Sequence, residues 1–309
     1  MQVAVVGAGT WGLSLAAASV RAGHDVVVVS RRREGPSPPG VKRTTDLAEL
    51  RKAKLVIVAV PSHVAREVGL EIGDHLDGRH LVVHGVRGLV GEKLETVCDV
   101  LRATTPARRL GALGGPALAD DLLAGRPSVM IGGSAYPEVN EAVETAFGAK
   151  SCRIYTTSDL RGLEWASALV GCLAIGIGYA QTLSLSPGLV AAVITRAITE
   201  ASRIAAAAGG DERTLLGLAG YGDLLACIAQ EERPEVRLGA ALAERRPVAE
   251  AIRAAELRVE AVELIPRIAS WAKGAGVATP IFDALGHAIF GNRSPDELIE
   301  ILMTRPKEK

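Results

Sequence analysis

At 309 residues and 48% hydrophobic content, the chain can fill one large or two medium cores. Its 35 basic and 35 acidic residues cancel, so no basic excess points to nucleic acid, and 3% aromatic content leaves little for a base-stacking platform. Four cysteines, Cys98, Cys152, Cys172 and Cys227, are too widely spaced for a metal or redox pair, and no charged presequence precedes the first strand, so a reduced, cytoplasmic protein is expected.

Residues 2–7 read QVAVVG, an apolar strand. GAGTWG follows at 7–12, then an alanine-rich helical stretch over Leu13–Arg21, then a second apolar strand at 25–30. A G-x-G-x-x-G string carries weight only in this strand, turn, helix setting, because each glycine then has a mechanical task. Gly7 turns the chain out of the strand, Gly9 lets a pyrophosphate approach the backbone, and Gly12 lets the helix pack on the sheet. The helix N-terminus offers free amides and a positive dipole end to the phosphates.

The end of the second strand selects the dinucleotide. An NAD site usually has a carboxylate there, accepting from the ribose 2′-hydroxyl. Here Ser30, Arg31, Arg32 and Arg33 follow. A hydroxyl and guanidinium forks suit a 2′-phosphate, so NADP is favoured, with NAD through Glu34 as the alternative.

Residues 35–41 form a proline-rich loop, and a short helix runs from about Thr45 to Lys52. LVIVAVPSH at 55–63 is a buried strand ending in Pro61, Ser62 and His63. Ligands of an open parallel sheet sit at strand carboxyl ends, which puts Val60–His63 beside the cofactor. Another strand covers 80–89 and a helix about 91–103. A strand end, glycine loop and short helix fill 110–125. Strand 128–133, helix 137–147 and strand 152–157 complete the alternation. His80 and His84 stand four apart with no third ligand near in sequence, so no metal is expected.

Beyond Asp159 no convincing strand remains, and helices are expected through 303. The apolar stretch near 165–180 contains glycines and polar residues and reads as a buried helix, not a membrane span. The expected organisation is an α/β Rossmann-type domain over 1–158 and an all-α substrate domain over 159–309, with a site in the cleft. Asp223 reads either as a functional carboxylate or as a helix cap, and Glu231, Glu232 and Arg233 as a solvated turn. Glu164 and Trp165 read as helix face and core, with Glu164 a remote alternative as an acid.

Several blocks, in order, resemble one family. GAGTWG, VAVPSHVAREV, HGVRGL, LGGPALADDLLAGRPS, LAIGIGYA, ITRAITEASRIAAAAG, LAGYGDLL and VEAV are similar to the motifs of bacterial NAD(P)-dependent glycerol-3-phosphate dehydrogenases. The resemblance implies a helical C-terminal domain of the 6-phosphogluconate dehydrogenase type. It also implies hydride transfer between nicotinamide and a small hydroxy/keto substrate, in the family dihydroxyacetone phosphate and glycerol 3-phosphate. Cofactor contacts are implied at Gly7, Gly9, Thr10, Trp11, Gly12, Ser30, Arg31, Arg32, Pro61, Arg87, Ala119, Arg196 and Glu260. Substrate contacts are implied at Arg87, Gly115 and Asp223, with Arg87 and Asp223 the catalytic candidates. A small-molecule substrate is the expected partner, and a homodimer is left open.

The family's acid/base lysine, in a GALKN-type segment, falls on Val170, and its asparagine on Gly171. No lysine occurs between Lys150 and Lys273 and no asparagine between Asn140 and Asn292, so no shift of the alignment restores them. The family's later serine, arginine and asparagine fall on Arg233, Pro234 and Glu235. A positioned acid contributes about 10²–10⁴ in rate. Arg87 can polarise a carbonyl electrostatically, but a guanidinium is a poor proton donor. The proton then comes from water, His84 or Asp223. The alternative is a protein that binds NADP as a sensor or partner subunit without turnover.

Overall fold

The computed structural model describes residues 1–32, 34–255, 259–291 and 297. Arg33, residues 256–258 and the end of the expected helical run, 292–296 and 298–303, lie outside these residues. The chain divides into two compact units, Met1–Trp165 and Ala166–Lys309.

The first unit is one eight-stranded sheet. Its strands are β1 (Gln2–Val6), β2 (Asp25–Val29), β3 (Val41–Thr44), β4 (Leu55–Val58), β5 (Leu81–His84), β6 (Arg109–Gly114), β7 (Ser128–Gly133) and β8 (Cys152–Thr157), in the order 3-2-1-4-5-6-7-8. The central strands are valine and isoleucine runs because both faces are covered. Val3, Val5, Val26, Val28, Leu55, Ile57, Leu81 and Val83 face one apolar layer with α1 (Thr10–Arg21) and α5 (Pro137–Phe147). Ala4, Val6, Val27, Val29, Val56, Val58 and Val82 face the other, with α2 (Ala65–Gly73) and α3 (Val97–Thr104). The alternation along each strand is the period of two that a pleated strand imposes.

Three details differ from the sequence expectations. β3 was hidden because Val-Lys-Arg-Thr has no apolar face; it pairs in parallel with β2 at the sheet edge. α3 starts at Val97, not near 91, because Thr96 caps it, its Oγ1 accepting from the Asp99 N–H at 3.2 Å. Residues 90–95 instead form a turn closed by pairing of Val90 with Glu95. The sheet is not wholly parallel: β7 runs antiparallel to β6, and the connection between them carries only the short helix α4 (Ala119–Ala124). A buried apolar run reads the same in either direction, so periodicity could not show this.

The second unit is helical in its described residues. α6 (Leu160–Thr182) starts in the first unit and runs on into the second. α7 (Pro187–Ala207), α8 (Glu212–Leu216), α9 (Asp223–Cys227), α10 (Pro234–Ala243), α11 (Val248–Ala254), α12 (Ala261–Gly274) and α13 (Pro280–Phe290) follow. α6 is long and apolar enough to cross a membrane, but 89% of that stretch is buried, as in a core helix. Glycines let α10 lie directly on it: a Cβ at Gly178 would collide with the Val236 backbone, and one at Gly239 with the Ile175 carbonyl.

Candidate functional site

In the first unit, four hydrogen bonds stitch five neighbouring strand ends together. Ser30 N–H donates to Thr44 O at 3.0 Å, Gly7 N–H to Val29 O at 2.9 Å, Ala59 N–H to Val6 O at 2.8 Å and Gly85 N–H to Val58 O at 2.9 Å. The carboxyl ends of β2, β1, β4 and β5 therefore lie side by side. The order 2-1-4 makes the β1/β4 boundary a topological switch point, where open α/β sheets bind ligands.

The three fingerprint glycines are there for different reasons. Gly7 has φ +114°, and a Cβ on it would run into the Ala59 carbonyl. A Cβ at Gly12 would run into the Gly7 carbonyl and stand 3.3 Å from Ala59 Cβ. Both are required by the fold. Gly9 has φ −73° and open space where a Cβ would stand, so neither backbone nor packing demands a glycine there. It caps α1 with no side-chain hydrogen bond to the first-turn amides. A bare backbone at a helix N-terminus is what a pyrophosphate needs. The residues thus fit a dinucleotide. Thr10 is exposed and Trp11 half-buried beside this opening.

At the end of β2, Ser30 Oγ donates to Arg32 O at 2.6 Å. Arg43, on β3, donates through Nε to Ser30 Oγ at 3.2 Å and to Arg32 O at 3.1 Å, and through Nη1 to Pro36 O at 3.3 Å. Arg43 was missed in the sequence, since only the hidden strand β3 brings it here. Arg31 and Arg32 are exposed, and no carboxylate pairs with Arg31, Arg32 or Arg43 among the described residues. One guanidinium, that of Arg43, thus meets the Ser30 hydroxyl, with the exposed Arg31 and Arg32 next to it in the chain.

After β4, Pro61 and His63 are exposed while Ser62 is buried. After β5, the backbone packs on the fingerprint helix: a Cβ at Gly85 would come within 2.5 Å of the Trp11 indole nitrogen. Arg87 follows two residues later, half-buried, in a segment without regular structure. Gly115, with φ +93°, turns the chain out of β6, and Ala119 opens α4. His84 is 1% exposed, with Nε2 2.9 Å from Glu164 Oε1, which also accepts from the Cys98 N–H at 2.8 Å. Burial, reinforced by Glu164, pushes the Cys98 thiol well above its ordinary pKa.

In the second unit, Val170 is fully buried midway along α6. Asp223 does not cap α9; Gly222 holds that position, and Asp223 is the first helical residue. Arg233 is not in a solvated turn, although Glu231 and Glu232 are exposed as expected. Its side chain is 9% exposed, with Nη1 3.2 Å from Asp223 Oδ1 and Nε 3.3 Å from Glu235 Oε2. Nη1 also lies 2.7 Å from Cys227 Sγ. Burial opposes its charge, but Asp223, Cys227 and Glu235 outweigh that and hold the guanidinium above its ordinary pKa. The charged triplet Glu-Glu-Arg masked this inward turn. Arg196 is exposed on α7, and Glu260 is half-buried just before α12.

The matching family profiles are the N-terminus of NAD-dependent glycerol-3-phosphate dehydrogenase over residues 35–139 and its C-terminus over residues 159–300. A glycerol-3-phosphate dehydrogenase (NAD(P)+) of Azorhizobium caulinodans is 32% identical, with 99% of this chain and 97% of the relative covered. One from Desulfitobacterium hafniense is 30% identical over 99% of this chain and 92% of its own. The crystal structure of glycerol-3-phosphate dehydrogenase from Coxiella burnetii shares the fold, with a TM-score of 0.90 at 24% identity, covering 98% of this chain and 99% of that one. By sequence over its whole length, the chain belongs to the NAD-dependent glycerol-3-phosphate dehydrogenase family.

Proposed function

We propose that this chain is an NADP-preferring oxidoreductase that interconverts a small hydroxy compound and its keto or aldehyde form. The observation that carries the reading is Gly9, a glycine at a helix N-terminus that neither the backbone nor the packing of the chain requires. The bound nicotinamide supplies or accepts the hydride. Gly9, Thr10, Trp11 and Gly12 hold the pyrophosphate, and Ser30, Arg31, Arg32 and Arg43 hold the 2′-phosphate. Pro61, Ala119, Arg196 and Glu260 complete the cofactor contacts that the family implies.

Arg87 takes the developing oxyanion. Such electrostatic stabilisation contributes on the order of 10²–10³ in rate. The proton comes from water, because His84 and Asp223 are 1% exposed and already bonded, to Glu164 and Arg233. Gly115 is assigned to the substrate, and the buried Asp223 to its side of the site only through the Arg233 guanidinium that it holds. Glu235 stands where the family has an asparagine, and its carboxylate disfavours a phosphate dianion. The substrate is therefore a keto compound or aldehyde less dependent on phosphate contacts than dihydroxyacetone phosphate. A cytoplasmic location and a homodimer complete the reading; sedimentation velocity tests the latter.

The test is NADPH oxidation with dihydroxyacetone phosphate and a panel of 2-keto acids and aldehydes. Turnover with a panel member, lost by about 10²-fold or more in Arg87→Ala, is expected. Tight NADPH binding without turnover on any of them would favour the second reading, a cofactor-binding sensor or partner subunit. The buried aliphatic Val170 at the place of the family's lysine is what favours it.

A further inference from the structure

His84 is the last residue of β5, and both its ring nitrogens are engaged. Nδ1 lies 3.2 Å from the Val86 N–H, and Nε2 lies 2.9 Å from Glu164 Oε1. A backbone N–H can only donate, so Nδ1 is the bare nitrogen and the ring proton sits on Nε2, aimed at the carboxylate. Glu164 is 4% exposed and is itself held by the Cys98 N–H at 2.8 Å.

The ligand atoms of His84, Cys98 and Glu164 lie within 4.8 Å of one another, close enough to suggest a metal. The tautomer argues otherwise. A metal on Nε2 would move the ring proton to Nδ1, against the Val86 N–H. Two side chains link two backbone amides instead: Glu164 accepts from the Cys98 N–H and from His84 Nε2, and His84 Nδ1 accepts from the Val86 N–H.

Val86 immediately precedes Arg87, in a segment bounded by Gly85 and by Gly88 at φ +157°. Val86 and Val90 bury their side chains on either side of Arg87, and between them the irregular backbone is held by local hydrogen bonds. Gly85 N–H is bonded to Val58 O at 2.9 Å, and His84 Nδ1 takes the next amide. We infer that His84 is a positioning residue: oriented by Glu164, its imidazole holds the Val86 amide and so fixes the segment that presents Arg87. This rests on the oxyanion role proposed for Arg87.

A double-mutant cycle on the full chain tests it. His84→Gln can donate to Glu164 but has no acceptor at the δ position. It is expected to lower kcat about 10-fold or more, with NADPH Kd within about twofold of wild type. His84→Asn places an amide oxygen at the δ position and is expected to rescue most of that loss. In an Arg87→Ala background, His84→Gln is expected to cost nothing further, because what it positions is gone.

Equal losses from His84→Gln in the two backgrounds would overturn the inference while leaving Arg87 its role. So would a kcat within about twofold of wild type, or a loss of NADPH binding parallel to the loss of kcat. If His84→Gln fails to fold, His84→Asn decides alone, and a full loss of kcat there with NADPH bound normally overturns the inference. No effect of Arg87→Ala, or no turnover by the wild-type chain, removes the oxyanion role and the inference with it.

Discussion

Arg233 Nη1 stands 3.2 Å from Asp223 Oδ1, and the two side chains are 9% and 2% exposed. A buried guanidinium between Asp223 and Glu235 leaves the cluster with one excess negative charge. Breaking such a group is costly because it strands the remaining charges. Arg233→Met is expected to destabilise the protein by about 3–5 kcal/mol, read from denaturant unfolding. Adding Asp223→Asn and Glu235→Gln should recover much of that loss. A cost of less than about 1 kcal/mol for the single variant would mean that the pair behaves as a surface ion pair.

The fingerprint glycines should separate fold from function. Gly12→Ala forces a side chain into Gly7 and Ala59 and is expected to cost about 1–3 kcal/mol of stability. Gly9→Ala meets no protein atom within 4 Å. Its stability without cofactor should stay within about 0.5 kcal/mol of wild type. Its NADPH Kd should weaken about tenfold, equivalent to about 1.4 kcal/mol. Loss of stability in Gly9→Ala with unchanged NADPH affinity would reverse the assignment.

Arg31→Ala and Arg43→Ala should each weaken NADPH binding about tenfold or more, as loss of a charge-assisted hydrogen bond does. NADH binding should change by less than about twofold, since no 2′-phosphate is present to lose a contact. Comparable losses for the two nucleotides would show that these arginines shape the loop without reading the phosphate.

All four cysteines are buried. Burial raises the Cys98, Cys152 and Cys172 thiols, with Glu164 adding to the shift at Cys98 and Glu235 at Cys172. The thiolate is the reactive form, so a raised pKa lowers the reactive fraction at neutral pH. Alkylation with iodoacetamide at neutral pH should leave the native protein unmodified and label every cysteine after denaturation. Rapid native labelling of Cys98 would contradict the packing around Glu164.

How much of this was legible follows from what each residue's signal depended on. The valine runs and the glycine string are local, so β1 and β2 could be read to within a residue, and α1 to within three residues at its start. Val170 was legible from the family resemblance, because no lysine between Lys150 and Lys273 could take its place. Arg43 was not legible, since its place depends on a short polar edge strand paired with β2. The inward turn of Arg233 was also hidden, because a Glu-Glu-Arg run is usually solvated, and the partners that draw it in, Asp223 and Cys227 before it and Glu235 after it, are marked by no spacing rule. The bond between His84 and Glu164 joins residues that are 80 apart, and no spacing rule reaches that far.

The most direct measurement is titration calorimetry of the full chain, freed of bound nucleotide, with NADPH and with NADH. Saturable heat with NADPH, at a Kd at least about tenfold below that for NADH, is the predicted result. No heat with either nucleotide would contradict the reading of the whole amino-terminal unit.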